Sequence, residues 1–163
     1  MTPQFLVAGH AVQDLVSDPD LKAWRLGGAA SYASAAARNL GLRVAVLTAC
    51  APDLPLAKLL PGIDVHAVAS ERTTQIRNVY GEGQRRQTVP QRASVLRAED
   101  VPPEWRETPI VLLGPVVGEV DDSLAACFPD SLVGIGAQGW LREIGPDGGV
   151  RPVHPAAWKD EEG

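Results

Sequence analysis

A run of small residues, Gly28 to Leu40, constrains this chain more than any other feature. "GAASYASAAARNL" contains no proline and no β-branched residue, and alanine, the strongest helix former, recurs throughout. The spacing predicts a helix over 28–40. Gly41 stands where a C-terminal helix cap belongs, and "RVAVLTA" then reads as a strand. Glycine turn, helix, glycine stop and strand make half of an α/β repeat, of a length that suits a crossover between parallel strands.

The rest of the chain extends this pattern. "FLVAG" (5–9) reads as a short buried strand ended by glycine, and Asp18-Pro19-Asp20 as a turn within a mixed region, 10–26. A short helix is expected over 54–60 and a strand in "IDVHAVA". Two polar, β-prone arms, 73–80 and 84–89, flank "GEG" and predict a hairpin. They are too polar for a core pair, so they are placed at the edge as a flap. "VPPEWRETP" is a proline-rich connector and "IVLLG" a buried parallel strand. A helix capped by Asp121 or Asp122 is expected over 121–127, then a strand in "SLVGIGAQG" and a second hairpin around Pro146 to Gly149. The final "HPAAWKDEEG" reads as the start of a helix. The order predicts an α/β domain with a mostly parallel sheet, in which ligands bind beyond the carboxyl ends of the strands. Those ends are 10–14, 49–51, 114–117 and 136–139.

Composition narrows the functional classes. With 163 residues and 45% hydrophobic content, one domain with a real core is expected. A net charge of -5 argues against a nucleic-acid or anionic-membrane surface. Arg85, Arg86 and Arg92 read as a solvated basic face. Cys50 and Cys127 suggest buried thiols in a reducing compartment, and His10, His66 and His154 lack metal-ligand spacing. The N-terminus has no signal-peptide character and no run is long enough to span a membrane, which makes the cytoplasm the expected location.

Gly27-Gly28 fits neither the G-x-G-x-x-G dinucleotide fingerprint nor a Walker A loop. On spacing alone, close backbone packing at a helix start explains it equally well. The wider constellation is more specific. "VAGHAVQDLV", "LGGAASYASAAARNLGLRVAVLT" and the polar hairpin "TTQIRNVYGEGQRRQTV", in that order, resemble the N-terminal portion of the PfkB, or ribokinase-like, carbohydrate kinases. "PIVLLGPVVGEVD" and "GIGAQGWLR" resemble that family's middle strands.

The resemblance implies a ribokinase-like three-layer sandwich with a mostly parallel sheet and a β-hairpin lid, the C-terminal part missing, and a lid segment of about 65–92. It implies ATP- and magnesium-dependent phosphorylation of a sugar, polyol or related hydroxyl, and a possible homodimer through the lid. Asp14 matches the acidic residue that holds sugar hydroxyls, its alternative being a turn cap. Gly27 and Gly28 match the pair that lets substrate approach bare backbone. Tyr32 stands where many members carry asparagine, its alternative being a core aromatic. Asn78 on the lid, Gly114 and Gln138 complete the candidate substrate site, and each has a purely structural alternative.

The family's second signature, a glycine-rich element with a catalytic aspartate, has no match: "GIGA" and "PDGG" both lack it. No catalytic residue is therefore expected in this chain, the base and most of the nucleotide site being expected beyond Gly163. The isolated chain is expected to be inactive. The alternative is a truncated or degenerate kinase that acts as a non-catalytic ligand-binding or association module.

Overall fold

The computed structural model describes residues 2–16, 23–81 and 83–153. The expected turn at 18–20 and the expected terminal helix from His154 lie outside these residues. Five parallel strands form the main sheet in the order β5-β4-β1-β8-β9: β1 is Phe5–Ala8, β4 Val44–Cys50, β5 Asp64–Ala69, β8 Ile110–Leu113 and β9 Leu132–Ile135. From β1 the chain builds outward to β4 and β5 on one side. It then returns to add β8 and β9 on the other, so the order reverses at β1, and the crevice for a ligand opens where it reverses.

Alternate residues of β1 face opposite cores. Leu6 and Ala8 pack with Leu47, Leu96, Trp105, Leu113, Leu124 and Phe128, while Phe5 and Val7 pack against Ala30 and Ala33 of α1 (Ala29–Asn39). The centre of the sheet is thus covered on both faces, as parallel strands require, while the edge strands β5 and β9 stay largely exposed. The second cover is not α-helical: short 3-10 turns at 98–100, 103–105 and 122–127 form it. The expected α-helix at 121–127 is one of these, and Asp121 does cap it, its carboxylate accepting from the Ser123 N–H.

α1 ends as its sequence requires. Gly41 has φ 83°, its N–H donates to the Arg38 carbonyl, and the Leu42 N–H donates to that of Ala37. This double closure is open only to a residue that tolerates the left-handed region. The expected helix at 54–60 shortens to α2, Leu56–Leu59.

A second sheet of four strands, β3-β2-β6-β7, lies beyond the first: β2 is Val12–Leu15, β3 Trp24–Gly27, β6 Gln75–Gly81 and β7 Gln84–Gln91. The polar hairpin is β6–β7, as expected, with a register shift between Gln75 and Arg77. Two features differ from the reading of the sequence. The flap is not a lone hairpin, because β2 and β3 extend it, and their four-residue runs are too short and mixed to signal strands. Nor does it begin at 65: residues 64–69 are β5 of the parallel sheet. The hairpin of β10 (Arg142–Ile144) and β11 (Val150–Pro152) closes the described fold.

The two sheets are joined around His10. Its ring is fully buried, with Nε2 2.9 Å from the Ser94 carbonyl and Nδ1 2.7 Å from Thr74 Oγ1. A carbonyl only accepts, so Nε2 carries the hydrogen and Nδ1 accepts from the Thr74 hydroxyl. Thr74 Oγ1 in turn accepts from the Ala93 N–H. Burial holds the imidazole below its ordinary pKa, against the opposing pull of Glu119, so the neutral ring suits this place.

Candidate active site

A cavity of about 360 Å³ lies between the second sheet and the carboxyl ends of the first. From the second sheet come Asp14, Ile76, Asn78, Tyr80, Arg85 and Gln87. The main body contributes Gly28, Ala29 and Tyr32 at the start of α1, with Val116, Gln138 and Arg142 beyond β8 and β9. Strand alternation explains the first set: Ile76, Asn78 and Tyr80 share one face of β6, and cross-strand pairing places Gln87 opposite Asn78 and Arg85 opposite Tyr80. Asp14 pairs in register with Ile76 and joins the same face.

Four candidates from the sequence, Asp14, Tyr32, Asn78 and Gln138, converge here together with Gly28. Tyr32 is 66% exposed, which removes its reading as a core aromatic. Gln138 lies on a 3-10 turn after β9, not at the strand's end. Gly27 and Gly114 do not line the cavity, and their bareness serves the protein itself. A β-carbon on Gly27 would collide with the Asp14 carboxylate. One on Gly114 would press on the Ala29 methyl, 2.7 Å away, at the start of α1. Gly28 has φ 88°, and a β-carbon there would meet the His10 carbonyl. The glycine pair therefore holds the helix start and the carboxylate in place before any ligand approaches.

The electrostatics of the cavity are uneven. Burial raises the Asp14 carboxyl above its ordinary pKa, and the Arg85 guanidinium pulls it partway back. Asn78 Oδ1 accepts from Arg85 Nε at 2.9 Å and from Gln87 Nε2 at 2.8 Å, which orders the lid face. Arg142 donates from Nη1 to the Val116 carbonyl at 3.2 Å. Its affinity for a proton is lowered, first by burial and then by Arg85.

Glu119 organises this region from behind. It is fully buried, and its Oε1 accepts from the His10 N–H at 3.1 Å. Both carboxylate oxygens accept from the Val116 N–H at 2.9 Å, and Oε2 accepts from the Val117 N–H at 2.7 Å. A buried carboxylate fits when several donors converge on it. One side chain thus ties the end of β1 to the turn that presents Val116 and anchors Arg142.

The sequence reading missed Arg85, Arg142, Gln87, Tyr80 and Glu119. The hairpin register contained the signal for three of them, since Asn78 on the inner face implies Tyr80, Arg85 and Gln87 beside it. Arg85, Arg86 and Arg92 are all exposed, as expected of a solvated face, and Arg85 in addition borders the cavity. Asp121 lies away from the cavity in an exposed ion pair with Arg97 at 3.2 Å. Cys50 is buried as expected, whereas Cys127 is half-buried. No group of three His, Cys, Asp or Glu among the described residues could hold a metal ion, and no helix is long and apolar enough to cross a membrane.

No family profile matches the sequence, and no curated protein does. Solved structures match. A pyrophosphate-dependent kinase in the ribokinase family, complexed with a pyrophosphate analog and myo-inositol, superposes with a TM-score of 0.75 and 21% identity, covering 92% of this chain and 54% of that one. Fructokinase with bound ATP from Xylella fastidiosa gives 0.60 and 15%, over 82% and 51%. Arabidopsis thaliana ribokinase complexed with ribose and ATP gives 0.54 and 18%, over 83% and 53%. The chain spans about half the length of the solved kinases it matches.

Proposed function

We propose, on the premise that the chain has the ribokinase-like fold, that it binds the acceptor in phosphoryl transfer to a hydroxyl of a sugar, polyol or related small molecule. The observation that carries this reading is the placement of Asp14. A partly buried carboxylate at the strand-order reversal, facing three side-chain amides and two phenols, suits an array of hydroxyls. A carboxylate accepts two O–H donors and fixes their orientation, while Asn78 and Gln138 both donate and accept. The second sheet covers the bound acceptor, which orients it and excludes water.

Structures of similar fold carry ATP or a pyrophosphate analog. ATP with magnesium is the donor that the resemblance implies, but the described residues do not fit it. They offer no acidic cluster for the ion and no glycine-rich turn with a catalytic aspartate. What these residues supply is binding, orientation and cover for the acceptor. A homodimer through the second sheet belongs to the same reading, since β3 has an unpaired edge within that sheet.

The test is calorimetric titration of the protein with sugars, polyols and nucleosides, alongside phosphoryl-transfer assays with ATP and with pyrophosphate. Binding that Asp14→Ala weakens supports the reading. Binding without turnover favours the ligand-binding module, and failure of every acceptor class to bind refutes the assignment of the cavity.

A further inference from the structure

The cavity carries more positive charge than hydroxyl recognition requires. Arg85 and Arg142 both line it, and Asp14 is the one carboxylate among the lining residues. The ion pair among the described residues is Arg97–Asp121, so no described carboxylate lies within salt-bridge distance of either cavity arginine. Each is held instead by one neutral acceptor, Asn78 Oδ1 for Arg85 and the Val116 carbonyl for Arg142. A guanidinium has five N–H donors and no acceptor, and its planar fork matches carboxylate and phosphate oxygens. A neutral polyol satisfies such a fork poorly, because each hydroxyl also has a hydrogen to place.

We infer that the acceptor is an anionic polyol whose phosphate or carboxylate substituent sits between Arg85 and Arg142 while Asp14 takes its hydroxyls. This rests on the reading of the cavity as the acceptor site. Arg142 is half-buried and Arg85 is exposed at the other wall; their like charges oppose each other, and an oxyanion between them relieves both. The proton affinities bear on the pair: that of Arg142 is lowered first by burial and then by Arg85, with buried Glu119 opposing both. The arginines also come from opposite walls, Arg85 from the second sheet and Arg142 from the main body. An anion held by both would draw the lid onto the acceptor.

Titration calorimetry on the full protein separates the possibilities. The probes are myo-inositol and its monophosphate, glucose, gluconate and glucose 6-phosphate, and pyrophosphate alone. The inference expects at least one anionic ligand to bind tenfold or more tightly than its neutral parent, with a gap that narrows as salt is added. Arg85→Gln, on the exposed hairpin, should shrink that ratio to below threefold. Arg142→Lys, which keeps a donor for the Val116 carbonyl, should reduce it at least severalfold. Equal binding of parent and anion overturns the inference and leaves the acceptor site standing. Pyrophosphate binding as tightly as the anionic polyol, and weakening in both variants, assigns the arginines to the donor and also overturns it. If no polyol binds, the acceptor-site reading falls, and the inference with it.

Discussion

β4 and β6 each have seven residues; β4 buries all seven, and β6 buries Ile76 alone. The two strands occupy different sheets of one chain, and their contrast separates two ways of making structure specific. The parallel sheet is held by apolar burial on both faces. The second sheet is held by its ladder, by cross-strand polar pairs such as Asn78 with Gln87, and by the buried contacts at its base around His10 and Thr74. Stability should therefore concentrate in one sheet and ligand recognition in the other.

The sharpest way to break this contrast is a matched pair of truncations. Leu47→Ala empties a fully buried site in the main core and should cost about 2–5 kcal/mol in chemical denaturation. Val79→Ala removes a similar side chain from the exposed lid and should stay within about 0.5 kcal/mol. Comparable losses would mean that the second sheet carries the core's share of stability.

A second test moves from stability to recognition. Gly27→Ala introduces a methyl that must displace the Asp14 carboxylate, while the backbone of Gly27 is open to alanine. Acceptor affinity should fall about 10–100-fold, the value of a charge-assisted hydrogen bond of about 1.5–3 kcal/mol, with little change in Tm. A large loss of Tm with unchanged affinity would move this glycine from the site to the scaffold. By contrast, Gly41→Ala touches no neighbour and only forces alanine into the left-handed region. It should lower stability by about 1 kcal/mol and leave binding alone.

The smallest expected effect concerns pH. His10 titrates lower in the folded protein than in the unfolded chain, so the unfolded state takes up the proton first as pH falls. Stability contributed by the neutral ring is complete above the ordinary histidine value of about 6.5. It is lost as pH drops from there toward the folded pKa. His10→Gln should flatten this segment of the stability–pH curve. A curve of unchanged slope would place the titration elsewhere.

Much of the scaffold was legible because burial on both faces leaves a plain trace. "FLVA", "VAVLTAC" and "IVLL" are continuous apolar runs, and the helix between the first two is bounded by Gly28 and Gly41, both at positive φ. The second sheet was half legible. β6–β7 announces itself through its glycine turn, but β2 and β3 are short, and their pairing depends on contacts distant in sequence. Asp14, Tyr32, Asn78 and Gln138 were found through likeness to known kinases and do converge. Arg142 was hidden in a second hairpin, where nothing local marks it as part of the cavity wall. Glu119 was hidden differently. Its role is set by three backbone N–H groups, two of them only two or three residues away, and such a clasp has no compositional signature.

His10 has a mechanical consequence. Asp14 lies four residues past it on β2, while Asn78, Tyr80 and Arg85 lie further out along β6 and β7, on the far side of Thr74. Were the second sheet to turn about this buried contact, the carboxylate would ride on the short arm and the other lid groups on the long one. A small rotation there would move Asp14 little and the tip of the hairpin much more. Hydroxyls near Asp14 would be gripped early and held nearly still, and whatever the outer groups touch would be met last, as the long arm comes down.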